Sequence, residues 1–256
     1  MSPETPRETT ELHTRLLKCA LLPDESRAWW RHRAPSEARP DALHIFEAGW
    51  FGARSLPRIR VLRTNLHARF DAFPPALSVL HRWQGMPPDT RRLICHWHVQ
   101  LSDPLYRRFS SEYLVQRRQS QPTVTREHVV RWVGEQGHAR WTMPTRIQFA
   151  SKLLSCAHGA GLIGKGRTVR PITLPRVSDE ALGYLLQLLR GVHLEDGLLD
   201  NAYLRTLGLS GPILHDRLCA LPGLDFEHQA GLVDLRWHQP DLTTWAAAHL
   251  PLREAP

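Results

Sequence analysis

Between residues 145 and 158 the apolar positions Ile147, Ala150, Leu153, Leu154 and Ala157 recur at steps of three and four. That spacing predicts one buried face of an amphipathic helix. Pro144 bars a helix from running in from upstream, Thr145 offers a capping hydroxyl, and Gly159 and Gly161 offer a stop. Leu162-Ile163, a Gly-Lys-Gly-Arg turn at 164–167 and a β-prone run over 168–174 follow. A helix, a glycine stop and a hairpin with a basic tip is the order of a recognition helix and its wing.

The same reading extends in both directions. Short helical patterns cover 12–22, 24–33 and 41–48. A stronger one starts at Ser55-Leu56-Pro57 and puts Ile59, Leu62, Leu66, Phe70 and Phe73 on one stripe. Helices are expected again over 76–83, over 89–101 with Leu93, Ile94, Trp97 and Leu101 inward, and from Pro104 to about residue 118. Thr125 caps a helix with Val129, Val130, Trp132 and Val133 inward, a fit partner for 145–158 in a helix-turn-helix. Ser178 caps 179–190, and helices at 200–206 and 211–221 precede a β-hairpin over 226–237. The order helix, turn, helix, hairpin thus occurs twice. The predicted fold is mainly α: an N-terminal helical bundle, then winged helix-turn-helix-like elements with short β-hairpins. The expected divisions are a disordered tail at 1–10, the bundle at 11–121, the winged helix at 122–176 and an acidic region at 177–256.

Opposite its apolar stripe, the 145–158 helix carries Gln148, Lys152 and Ser155, with Thr145 and Ser151 at the edges and Arg146 beside the stripe. Small polar groups with a Lys and a Gln can enter a major groove and bond to base edges and phosphates. A plain solvated face has similar composition, so the wing and the charge pattern have to decide. The expected DNA-contacting set is Thr145, Arg146, Gln148, Ser151, Lys152 and Ser155 on the helix, with Lys165, Arg167 and Arg170 on the wing.

Charge is segregated along the 256 residues, whose net charge is +8. Residues 1–81 carry +3, residues 82–176 carry +11 and residues 177–256 carry −6. The excess is centred on the proposed helix and wing, as expected of a polyanion binder. Most of it is arginine, whose fork of donors suits phosphate. A preference for arginine codons would explain the residue type but not the segregation. The arginines around 54–69 read mainly as a solvated helix surface.

Several motifs fail on context. Gly159, Gly161 and Gly164 match G-x-G-x-x-G, and 159–165 matches the start of a P-loop. Both need a strand before the glycines and a helix after them, and Gly166 stands where the P-loop needs Ser or Thr. Cys95-His96-Trp97-His98 puts its two histidines about 200° apart on a helix, too far round to share a metal. The four cysteines lie far apart, consistent with reduced thiols. No apolar run reaches the ~20 residues that span a bilayer, and the N-terminus lacks the order of a secretory signal. The expected location is cytoplasmic, with no metal, cofactor, small-molecule substrate or membrane partner.

An ordered set of residues over 29–237 resembles the BrxA family of bacterial BREX phage-exclusion systems. It comprises the Trp29-Trp30 pair, Phe51-Gly52-Ala53-Arg54-Ser55, and a helix ending Leu66-His67-Ala68-Arg69-Phe70. It continues through Tyr106, Phe109 and Tyr113, Trp141-x-x-x-Thr145, Leu153-Leu154 and Gly161-Leu162-Ile163. It ends with Tyr184-Leu185-Leu186 and Leu207-Gly208-Leu209. The resemblance implies a mainly helical protein that binds double-stranded DNA through a winged helix without an active site of its own. It would act beside a methyltransferase, an ATPase and other defence proteins.

Other functions remain as rivals. A winged-helix transcriptional regulator would share the helix and wing. A nuclease needs clustered carboxylates for metal, and the basic region offers only the scattered Asp89, Asp103, Glu112, Glu127 and Glu135. RNA binding is a third reading, since basic helical bundles also take RNA.

Overall fold

The computed structural model describes residues 5–35, 37–136, 141–229 and 232–253. It is mainly helical, with two small two-stranded antiparallel sheets. The N-terminal part contains α1 (Arg15–Lys18), α2 (Pro23–His32), α3 (Ala42–Glu47), α4 (Leu56–Leu66), α5 (Pro74–Arg82) and α6 (Pro88–Ser102). Next come α7 (Pro104–Arg108) and α8 (Leu114–Ser120), then β1 (Thr123–Val124), α9 (Arg126–Glu135), α10 (Met143–Gly159) and β2 (Arg170–Pro171). The C-terminal part contains α11 (Asp179–Arg190), α12 (Ala202–Thr206), α13 (Gly211–Cys219), β3 (Leu224–Gln229), β4 (Leu232–Trp237) and α14 (Leu242–His249).

Prolines start several of these helices. Pro23, Pro74, Pro88, Pro104 and Pro144 each stand in a first turn, where the missing N–H has no intrahelical partner to lose. Caps do the rest. Asp41, Asp103, Thr125 and Ser178 accept from the backbone N–H groups of His44, Tyr106, His128 and Ala181. The first helix is shorter than its apolar pattern predicts, because Cys19 turns to extended backbone.

α6 forms the centre of the molecule. From Leu93 to Ser102 every residue is buried, and the helix packs against α2, α7, α10, α11 and the π-helical turn His67–Asp71 that prolongs α4. Polar residues on it are bonded across the core. His98 Nδ1 donates to Arg69 O at 2.8 Å, leaving Nε2 to accept from Tyr184 Oη at 2.8 Å. Gln100 donates to Ser110 Oγ and Thr206 Oγ1. The buried apolar cluster runs without a break from Leu16 to Leu250, across positions 121 and 176.

Two buried arginines brace the bundle. Arg69 donates to the carbonyls of Cys19, Ala20 and Leu21 at 3.0, 2.8 and 3.1 Å. That clamp holds the turn in which Leu22 takes a left-handed φ of 58°. Arg33 pairs with Asp71 at 3.0 Å, and Asp71 also accepts from Trp29 Nε1 at 2.9 Å.

The expected disordered tail is corrected over its described part. Arg7 bridges His193, Thr9 N donates to Leu101 O at 2.8 Å, and Tyr203 Oη donates to Glu8 Oε2 at 2.6 Å. Backbone pairing and one buried carboxylate order the segment, and neither leaves a hydrophobic period to read. Residues 1–4 of that expectation lie outside the described residues.

Candidate nucleic-acid interface

α9 and α10 pack as a helix pair, and residues 137–140 between them lie outside the described residues. Val129 and Val133 of α9 are buried. Trp132 packs on Phe109 and Tyr113 at ring distances of 5.5 and 5.3 Å. Those two rings sit on the π-helical turn Phe109–Tyr113 that joins α7 to α8. A preceding helix therefore buttresses the pair.

α10 buries more of its surface than one stripe. Phe149 and Cys156 are buried along with Ala150, Leu153, Leu154 and Ala157, and Ile147 is half-buried. The extra burial comes from α1 and α6, which pack on α10 from other sides. Trp141 packs on Phe149 in a tilted arrangement, with ring centroids 4.3 Å apart. Gln148, Ser151 and Ser155 remain exposed. They stand three and four positions apart, so they share one face.

The other residues expected to touch DNA from the helix fare differently. Thr145 does not cap the helix: Thr142 holds the cap position, and the two threonine hydroxyls lie 3.1 Å apart. Pro144, expected as a barrier, instead stands in the first turn, because the helix begins at Met143. Arg146 donates to Trp141 O at 2.9 Å and lies over Gly134 of α9, so it ties the two helices together. Ser151 Oγ is turned back to Ile147 O at 2.9 Å. Lys152 is half-buried at the edge of the exposed face.

After α10 the chain makes the expected hairpin. Gly161 ends the helix with φ 80°. Gly159 lies within the helix instead of stopping it, and a side chain there would press on Leu21. Ile163 pairs antiparallel with Ile172, and β2 pairs antiparallel with β1. Gly164 N donates to Pro171 O at 2.8 Å, and Ile172 N to Pro122 O at 2.8 Å. The hairpin is thus fastened both to the end of α10 and to the segment before α9. A Cβ at Gly166 would collide with the Val169 carbonyl, so the tight tip requires glycine. Lys165 and Arg167 stand exposed at this tip and form no ion pair among the described residues. Arg170 is half-buried and donates to Gly166 O at 3.3 Å, which makes it a brace of the tip.

α1 packs against α10 and brings residues from far along the chain near it. Arg58 of α4 donates to Lys18 O at 2.9 Å. Arg58 Nη1 lies 3.9 Å from Cys19 Sγ; burial raises that thiol's pKa, and the charges of Arg69, Arg58 and Lys152 pull it back. Lys18 is exposed, next to Cys19 in the chain. Nothing local in the sequence joins position 58 to position 152, and only the packing of α1 against α10 does so.

On its other side, the α9–α10 pair shows mixed charge, with Arg126, Arg131 and Arg146 among Glu127 and Glu135. The second helix-turn-helix-hairpin, α12 to β4, is acidic and internally paired. Arg236 binds Glu227 and Asp234 at 3.3 and 3.1 Å, and His238 faces Asp225 at 2.9 Å. His96 and His98 are buried within α6, each bonded to a tyrosine hydroxyl. Among the described residues, no group of three His, Cys, Asp or Glu is placed to hold a metal ion. No helix among them is long and apolar enough to cross a membrane.

A solved structure shares this fold. It is the crystal structure of an uncharacterized protein from Magnetospirillum magneticum, with a TM-score of 0.60 and 14% identity over 77% of this chain and 98% of that one. No protein-family model and no curated protein matches the chain.

Proposed function

We propose that this protein is a non-enzymatic double-stranded-DNA-binding component of a BREX-type phage-defence system. In this reading β1, α9, α10 and the 163–172 hairpin form a winged helix, with α7–α8 as its supporting first helix. α10 enters the major groove with Gln148, Ser151 and Ser155. Lys152 stands at the groove's edge, and Lys165 and Arg167 lie on the adjacent backbone. The carrying observation is the exposed polar face of α10 beside an anchored hairpin whose tip cations have no acidic partner among the described residues. Membership of a BREX system rests on the ordered residue resemblance, and a methyltransferase and an ATPase are the partners it implies.

Electrophoretic shifts with duplex DNA, single-stranded DNA and RNA test the reading. Duplex is expected to bind best, with little sequence preference. Log affinity should fall against log salt with a slope of roughly 0.9 per neutralised phosphate. A flat salt response, or a preference for RNA, contradicts it. The protein alone should leave the DNA uncut with magnesium, manganese or ATP present.

A further inference from the structure

A cleft of about 400 Å³ opens between α2, the end of α5, the 83–86 loop and the C-terminal segment. It shares no lining residue with the α10–wing surface. Arg27, Arg31, Arg82, Arg91 and Arg253 line it, and no carboxylate does among the described residues. Trp30, Trp83 and Met86 supply an apolar wall.

Backbone pairing and side-chain bonds hold the arrangement in place. Arg27 and Arg31 stand four apart on α2 and so share a face. Neither forms an ion pair among the described residues, and Arg31 is exposed. Leu252 pairs antiparallel with Trp83, and Gln84 N donates to Pro251 O at 2.8 Å. Arg253 N donates to Arg82 O at 3.0 Å, and Arg82 Nε to Arg253 O at 3.1 Å. These bonds set Arg82 and Arg253 side by side.

Arg253 Nη2 lies 3.0 Å from His81 Nε2. A guanidinium can only donate, so this imidazole nitrogen accepts. His81 Nδ1 then donates to Trp30 O at 2.8 Å. The indole N–H of Trp30 is buried without a partner among the described residues. The acid paired with a lining arginine is the exposed Asp24, 3.4 Å from Arg91.

Gathered guanidinium groups repel one another, and a bound polyanion removes that cost. We propose that this cleft binds a phosphate-bearing small molecule, a di- or triphosphate of nucleotide size. Arginine forks engage phosphate oxygens in pairs, and this number of them suits more than one phosphate. The volume falls within the range of small-molecule sites and leaves room beyond the phosphates for a base against Trp83 and Met86.

Titration calorimetry of the full chain with ATP, inorganic triphosphate and adenosine tests the proposal. ATP and triphosphate are expected to bind and adenosine to give no heat. Tighter binding of ATP than of triphosphate would assign the apolar wall to the base, and equal binding would assign the site to inorganic polyphosphate. The Arg27→Gln/Arg31→Gln variant removes groups without ion-pair partners, so its melting temperature should hold while ATP affinity falls about tenfold or more. Absence of heat from both ATP and triphosphate overturns the proposal, as does unchanged affinity in the variant. So does a variant that loses affinity for duplex DNA while the wild type ignores ATP, because the cleft would then be part of a DNA-backbone surface. The α10–wing reading stands or falls separately, on the duplex titration alone.

Discussion

Acidifying the protein from pH 7 to pH 4 is expected to destabilise it by several kcal/mol through the histidines of α6. Burial pushes the pKa of His98 down to about 4 and that of His96 down to about 3. An unfolded histidine takes up its proton near pH 6.5. In the window between, the unfolded chain binds more protons than the folded one, so stability falls as pH falls. It is fully present above about 6.5 and is lost toward the folded values, by roughly 1.4 kcal/mol per pH unit for each histidine. His98 alone then accounts for about 3 kcal/mol between pH 6.5 and 4. Burial is the cause; the Arg69 carbonyl that accepts from Nδ1–H works against it, raising the pKa, and the Arg69 charge adds to the lowering. Asp103 works the other way, since burial raises its pKa and protonation relieves it. Urea unfolding at a series of pH values should show the loss, and His98→Gln should flatten the curve by about one proton. A wild-type stability that is level from pH 7 to 4.5 contradicts the assignment.

Asp71→Ala is expected to cost about 3–5 kcal/mol, because it strands a buried charge. Asp71 and Arg33 are only 5% and 9% exposed at their side chains. Removing the carboxylate also leaves Trp29 Nε1 without its acceptor. Breaking one side of a buried pair costs more than the pair itself contributes. The double change Arg33→Met/Asp71→Leu should therefore recover part of the loss. Chemical denaturation of the three proteins checks this, and a double variant as weak as Asp71→Ala would show that the pair contributes through its own bonds.

What could be read from the chain alone was what is encoded locally. Thr125 and Ser178 cap the helices they were expected to cap, because a cap needs only the next turn. Gln148, Ser151 and Ser155 lie outward on α10 because a 3.6-residue period sets that face. The hairpin at 163–172 follows from its glycines. Features made by distant packing could not be read. Phe149 and Cys156 are buried because α1 and α6 pack on α10. Arg146 joins the helix pair because Gly134 leaves room for it. Arg58 is bonded to the carbonyl of Lys18, beside the turn held by Arg69, with no signal in its own neighbourhood. The docking of residues 5–10 depends on backbone pairing, to which sequence periodicity is blind.

The most direct measurement compares Lys165→Ala/Arg167→Ala with the wild type in a salt titration against a fixed duplex. Both side chains are exposed and without ion-pair partners among the described residues, so the melting temperature should be unchanged. If the wing lies on the DNA backbone, every duplex binds more weakly and the log–log salt slope falls by roughly 0.9 for each phosphate no longer neutralised. Gln148→Ala, on the helix, should instead alter affinity by about 1–3 kcal/mol only where its base is read. Unchanged affinity and slope in folded wing and helix variants would contradict the proposed interface and make α10 and its hairpin a structural element only.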